Sequence, residues 1–186
     1  MNDLNLFPFS NSIHLKKISS KSEISPEDNC NGYLIEMNEK EARRIIESLK
    51  GKNKIIALIG GDDNFNRRAI ETLKINYLIS PEKGIKKDSL KQRDSGINHV
   101  VAKEAVKRNV AFVIDVNEIS KLPKEEKAVR LSRIIQNIKI CRRAKCEIKI
   151  ASLAEKKEDI VNEIGRKSIG LSLGMSSEQA KDGVWF

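Results

Sequence analysis

The chain has 186 residues, 39% of them hydrophobic and 33% charged, so a single domain over 1–186 with a substantial core is expected. It has no apolar run near the roughly 20 residues of a membrane span and no secretory signal pattern at its start, which predicts a cytoplasmic protein. Its three cysteines include no C-x-x-C pair, so reduced thiols are expected rather than a disulfide framework or a zinc knuckle.

Basic residues outnumber acidic ones by 35 to 26, a net charge of +9. The excess lies in two blocks: residues 83–108 carry 8 basic and 3 acidic side chains, and residues 121–149 carry 10 and 3. Clustered basic charge is typical of a polyanion-binding surface, although solvated helix faces also accumulate lysine. Aromatic residues are only 4% of the chain, so base stacking is not expected to be the main contact.

The first half of the chain predicts an alternation of strands and helices. Residues 4–7 favour a short strand and residues 12–20 a weak helix. Residues 54–60 form an almost continuous apolar run, as expected of a parallel strand that is buried on both faces. The other elements predicted here are strand 32–37, helix 39–50, helix 64–74 and strand 75–80.

The second half continues the same alternation. Residues 124–145 place Leu131, Ile134, Ile138 and Cys141 at the spacing of one buried helix face. The other predicted elements are helix 97–109, strand 110–116, strand 147–152, helix 155–164, strand 168–173, helix 176–181 and strand 183–186.

These eight strands and seven helices predict an α/β fold with a parallel sheet. Right-handed crossovers allow either an open doubly wound sheet or a closed barrel. A compact TIM-like (β/α) barrel is favoured because no G-x-G-x-x-G follows a strand. The chain is shorter than the roughly 200 residues usual for such barrels, and imperfect closure at the N-terminal strand would reconcile the two.

Function in such a barrel depends on the loops that follow the strands, and the longest of these is 81–96. Its end carries most of a polar stretch at 91–99, which runs on into the next predicted helix. His14 and His99 are the only histidines, so no metal ligand set is predicted. No serine or cysteine lies in a nucleophile elbow, and Asp115 at a strand end is either a lone acid or base or a loop cap.

The helix after this stretch carries His99, Lys103 and Lys107 at i, i+4 and i+8, on one face. Arg93 precedes that face in the loop. An arginine fork and lysine heads at this spacing suit the phosphates of a nucleic acid backbone, and the alternative is a solvated helix face. In the second basic block, Arg130 and Arg133 are predicted to face a partner.

Two motifs make the chain resemble the thirty-kilodalton protein subunit family of archaeal ribonuclease P. Residues 93–103 match an (S/R)-D-x-G-(I/L)-N-x-x-x-A-K pattern, and residues 173–181 match a late L-G-M-x-x-x-Q-A-K pattern. The resemblance covers roughly 32–186 and extends a binding role to Gln179 and Lys181.

The resemblance implies a barrel related to polymerase-and-histidinol-phosphatase domains that lacks their metal histidines. It implies that the RNA subunit and its magnesium ions remove the 5′ leader of precursor tRNA. The protein would then bind that RNA together with a small Pop-five-type subunit, with no catalytic residue, metal or cofactor of its own and no membrane contact.

Two other functions stay open at this point. A small barrel enzyme could act on a phosphorylated metabolite, with the cationic loop holding phosphate and Asp115 as the acid or base. A protein-interaction scaffold is the third possibility, but its edge would be apolar rather than basic.

Overall fold

Seven parallel strands form the centre of the computed structural model, which describes residues 3–25, 27–84, 88 and 94–186. Each strand pairs with the next one along the chain, from β1 to β7. The predicted strands at 4–7, 32–37, 54–60, 75–80, 110–116 and 147–152 are confirmed within a few residues. The observed bounds are β1 Leu4–Asn5, β2 Ile13–Ile18, β3 Gly32–Ile35, β4 Ile55–Ile59, β5 Tyr77–Ile79, β6 Ala111–Asp115 and β7 Ile148–Ala151.

The sheet curls into a nearly closed TIM-like barrel with an unsealed seam between β1 and β7. No strand ladder joins these two strands in the part of the chain that the structure describes. Two backbone hydrogen bonds bridge the seam: Leu6 N–H donates to the Ala154 carbonyl and Leu153 N–H donates to the Leu4 carbonyl, both at 2.9 Å. The predicted barrel and its imperfect closure at the first strand are therefore confirmed.

Seven α-helices cover the outside of the described sheet. Most begin at an asparagine or aspartate, such as Asn38, Asp62 and Asn98, whose side chain accepts a backbone N–H of the first turn. Within the described ranges, none is both long and apolar enough to cross a membrane. Their bounds are α1 Glu39–Ser48, α2 Asp63–Thr72, α3 His99–Arg108, α4 Val116–Lys121, α5 Lys124–Ala144, α6 Glu163–Ser172 and α7 Ser177–Asp182.

Two apolar layers hold these elements together. The larger layer lies between the sheet and the helices, where Ile70, Ala105 and Ile134 are fully buried. The smaller layer fills the barrel interior with Leu4, Ile13, Leu15, Leu34, Ala57, Ile79, Val113, Ala151 and Leu153. A packed interior leaves functional residues to the rim and the outer helices.

The helix predicted at 12–20 is wrong, because this segment forms β2. Ile13 and Leu15 face the barrel interior, while His14 and Lys16, each the next residue along the chain, are less buried. This period of two is the pattern of a strand, and it outweighs the polar composition of the segment.

The predicted helix at 155–164 and the predicted strands at 168–173 and 183–186 are also wrong. A 3₁₀ turn occupies Lys157–Asp159, and α6 then covers most of the residues assigned to a strand. Arg166 and Gly170 lie four residues apart on the buried face of α6. Arg166 forms a 3.2 Å ion pair with Asp3 of the seam, and Gly170 packs closely against Ile150. The described sheet therefore has seven strands rather than eight.

Candidate nucleic-acid interface

The motif that leads into α3 is mostly buried. Ser95 and Ile97 are 2% and 6% exposed, and the Gly96 backbone has a φ of +77°. A Cβ at Gly96 would overlap the Pro81 carbonyl, so only glycine fits. The centre of this motif is thus a structural anchor rather than an open docking loop.

The Asn66 side chain holds this anchor to two neighbouring loops. It accepts the Gly61 N–H at 2.8 Å and donates to the carbonyls of Pro81 and Gly96, each at 2.9 Å. Asn66 itself is fully buried on α2. Sequence reasoning missed this residue, although an asparagine on the same helix face as Ala69 is a signal that could have found it.

Helix α5 fastens the motif from the other side. The Asn137 amide donates to the Ser95 carbonyl at 2.8 Å, and the Gln136 amide donates to the Ser95 hydroxyl at 3.0 Å. Since α3 packs against both α2 and α5, these bonds fix where α3 begins.

Helix α3 turns a cationic face outward. The Asn98 side chain caps it by accepting the N–H groups of Val100 and Val101 at 2.9 and 3.0 Å. His99 and Lys103 are exposed and make no hydrogen bond or ion pair with another described residue. The predicted shared face is confirmed in these positions, and its chemistry suits a row of phosphates.

The same face has two further components. Lys107 is exposed and forms a 3.2 Å ion pair with Glu104 of its own helix. Val100 and Val106 flank the cations and are 53% and 42% exposed. Arg93, predicted to precede this face, lies outside the described residues.

Arg130 and Arg133 lie inside the molecule instead of facing outward. Arg130 is paired with Glu82 at 3.2 Å and with Glu118 at 3.1 Å, and its side chain is 11% exposed. Arg133 is 8% exposed, pairs with Asp88 at 3.0 Å and donates to the Gly84 carbonyl at 2.9 Å. The expectation that both face a partner does not fit this burial, since they tie α5 to the loop after β5.

These arginines border a cluster of carboxyl groups at the carboxyl ends of the strands. Burial raises the pKa of Glu82, and the nearby Arg130 only partly offsets this. Burial likewise raises the pKa of Asp115 to about 7, although its carboxylate accepts the Glu118 N–H at 2.9 Å and so caps α4.

The barrel mouth beside this cluster is a cavity of about 260 Å³. Lysines line it, but each is paired with a carboxylate: Lys17 with Glu36 at 2.7 Å, Lys83 with Glu36 at 3.2 Å, and Lys121 with Glu155 at 3.3 Å. In the described part of the chain, no group of three or more His, Cys, Asp or Glu side chains is arranged to hold a metal ion.

Gln179 and Lys181 lie near the opposite end of the barrel. Gln179 forms a capping box with Ser176 at the start of α7, and its side-chain oxygen accepts the Arg142 Nε–H at 2.7 Å. The chain after α7 returns to β7, where the Gly183 carbonyl accepts the Ile150 N–H. Lys181 is exposed, whereas the Gln179 side chain is half-buried in structural bonds.

Comparison with known proteins assigns the chain to a family. The family model described as RNase P subunit p30 matches residues 11–185. Ribonuclease P protein component 3 of Methanothermobacter thermautotrophicus is 23% identical over 171 residues, covering 91% of this chain and 67% of the relative. Its counterpart from Methanococcoides burtonii is 30% identical over 86 residues, covering 46% of this chain and 32% of the relative.

A solved structure has a similar fold. A chain in the cryo-EM structure of archaeal ribonuclease P with mature tRNA superimposes with a TM-score of 0.65 at 25% identity, covering 81% of this chain and 63% of that chain. The present chain therefore spans between about a third and two thirds of the length of these relatives.

Proposed function

Because the chain belongs to the RNase P subunit p30 family, we propose that it is a protein subunit of ribonuclease P, binding the catalytic RNA and supporting removal of the 5′ leader from precursor tRNA. The observation that carries this proposal is the exposed cationic face of α3, positioned by the buried motif before it. The likeness to a chain of archaeal ribonuclease P with mature tRNA supports it.

The α3 face contacts RNA phosphates through His99, Lys103 and Lys107. These side chains follow one another at each helical turn, so they can meet successive phosphates of one strand. Arg93 adds a forked contact at the start of this row. Lys181 contacts a separate part of the RNA, since α7 lies near the other end of the barrel.

On α5 we assign the direct RNA contacts to the exposed Lys139 and Arg143. Arg130 and Arg133 support binding indirectly, because their ion pairs hold the loop that precedes α3. Gln179 acts in the same indirect way through its bond to Arg142.

The chemical step belongs to the RNA and to magnesium ions bound on it, and this chain supplies no catalytic residue. The protein raises the fraction of RNA in its active shape at low magnesium, since lysine and arginine neutralise phosphates that metal ions would otherwise screen. It works in the cytoplasm in a hetero-oligomer with a small Pop-five-type subunit, reaching precursor tRNA only through the RNA.

Reconstitution at limiting magnesium tests this function. Precursor-tRNA cleavage by the RNA should rise when the protein and its partner subunit are added. Lys103→Ala should weaken RNA binding and lower the dependence of log K on log salt by about one unit, the loss of one phosphate contact.

Lys40→Ala is the matched control, because Lys40 is an exposed lysine near the start of a different helix, α1. Its salt dependence should equal that of the unmodified protein. Equal slopes for Lys103→Ala and the unmodified protein would remove α3 from the RNA interface, and no gain in cleavage would overturn the subunit role.

The competing function, an enzyme acting on a phosphorylated metabolite, has one observation in its favour: burial raises the pKa of Asp115 to about 7, near that of an effective general acid or base. Against it, the Asp115 carboxylate is used as a helix cap and the mouth lysines are paired. Saturable thermal stabilisation by a sugar phosphate, with none by RNA, would favour the enzyme over the RNA-binding subunit.

A further inference from the structure

Two of the three cysteines meet at the C-terminal cap of α5. Cys141 lies in the last turn of the helix and Cys146 follows the cap residue Lys145, whose φ of 57° turns the chain back. The Cys146 N–H donates to the Cys141 carbonyl at 2.9 Å. This is the hydrogen bond of a Schellman cap, a geometry that brings the first and last side chains of the motif together.

Both cysteines are buried, at 0% and 6% exposure. The neighbouring Cys146 side chain, together with burial, raises the pKa of the Cys141 thiol. The Cys146 sulfur also faces the carbonyls of Val110 and Glu147 at 4.0 and 3.7 Å. The fold therefore places the two cysteine side chains next to each other before any reaction.

A cleft lies directly beside the pair. Its volume is about 630 Å³, and both cysteines line it between the end of α5, the start of β7 and α7. Its wall includes cations and carboxylates: Arg142, Lys145, Lys149, Glu147, Glu178 and Asp182. A cleft of this volume is large enough for a small organic molecule.

We propose that Cys141 and Cys146 form a dithiol site that low-molecular-weight disulfides oxidise reversibly to an intramolecular disulfide. The Cys146 thiolate attacks one sulfur of the small disulfide, forming a mixed disulfide and releasing one thiolate. The released thiolate takes the Cys141 proton, and Cys141 then attacks the Cys146 sulfur and expels the second thiolate. The protein pair gives up two electrons, and the small disulfide is reduced to two thiols.

The new bond would fasten the end of α5 to the residue that precedes β7. Arg142, inside the bridged segment, donates to the Gly174 carbonyl and to Gln179 of α7. The oxidation state of the pair thus acts on the contact between α5 and α7. This inference is independent of the proposed function, because it depends only on the two thiols and the cleft.

Peptide mapping of the native protein after incubation with glutathione disulfide tests the site. Trypsin cuts between the two cysteines, so an intramolecular bond links the peptides 140–142 and 146–149, while Cys30 is in the separate peptide 22–40. The linked pair should form, and a reducing agent should separate it. Glutathione carried separately on the two cysteines, or reaction at Cys30 alone, would overturn the proposal.

Single variants separate the two roles. Cys30→Ser should give the same cross-link as the unmodified protein. Cys141→Ser should accumulate glutathione on Cys146, because the second displacement is lost, whereas Cys146→Ser should leave Cys141 reduced. Circular dichroism checks that each variant is folded, and rapid glutathione addition to Cys141 in folded Cys146→Ser would contradict the proposed order of attack.

Discussion

The cations of α3 and those in the middle of α5 differ in what surrounds them. Lys103 faces solvent without a described partner, whereas the largely buried Arg130 and Arg133 are paired with Glu82, Glu118 and Asp88. The two blocks look alike as charge counts. The difference shows that a charge count does not reveal which basic residues are exposed, because that depends on whether the fold buries them against carboxylates.

The largest effect expected from this difference is on stability, in the variant Arg133→Ala. Removing the guanidinium leaves the carbonyls of Glu82 and Gly84 without this donor, while Asp88 still accepts the Asp94 N–H at 2.8 Å. Leaving these carbonyls unsatisfied costs about 1–3 kcal/mol of unfolding free energy each, and the loss of the exposed Asp88 partner adds little. Urea titration followed by circular dichroism measures this loss. A change below about 1 kcal/mol would mean that water replaces the arginine at this site.

The carboxyl groups next to these arginines predict that the free energy of unfolding depends on pH. The pKa of Asp115 is raised from 3.8 to about 7, so the folded state holds a proton that the unfolded state has lost in that range. Stability contributed by this group is full below pH 3.8 and falls as the pH rises toward 7. Asp115→Asn should reduce the fall by up to about 4 kcal/mol, as measured by unfolding at several pH values.

Asp62→Asn provides the matched control for this pH profile. Asp62 caps α2 as Asp115 caps α4, accepting the Phe65 N–H at 2.8 Å, but it is exposed. Its variant should keep the profile of the unmodified protein. If both variants flatten the profile equally, burial of Asp115 is not the cause.

Much of the barrel could be predicted, because the local sequence is enough to identify apolar strands such as 54–60 and capped amphipathic helices such as 39–50. The strand in segment 12–20 could not be predicted, because Lys16-Lys17 interrupts its short alternation of apolar and polar residues. The segment is a strand because it pairs with β1 and β3 in the folded barrel. Residues 168–173 favoured a strand by composition, but packing of Gly170 against Ile150 selects a helix.

In the candidate site, too, some features follow from the local sequence and others depend on residues that are distant in the chain. The shared face of His99 and Lys103 follows from helical spacing, which is local. The burial of Arg133 does not, because its partners Glu82 and Asp88 are 51 and 45 residues away in the chain. The role of Asn66 likewise depends on three loops that meet only in the folded barrel.

The smallest expected change in stability comes from Arg143→Ala, on the same helix as Arg133. Arg143 is exposed in the last turn of α5, so its loss should alter the unfolding free energy by only about 0.5 kcal/mol, mostly through the helix dipole. If it contacts RNA, the slope of log K against log salt should still fall by about one unit. Filter binding over a salt series measures this slope, and urea titration measures the stability. Arg133→Ala should mainly lower the stability, whereas Arg143→Ala should mainly lower the slope. An unchanged slope would remove Arg143 from the RNA surface and leave Lys139 as the contact on α5.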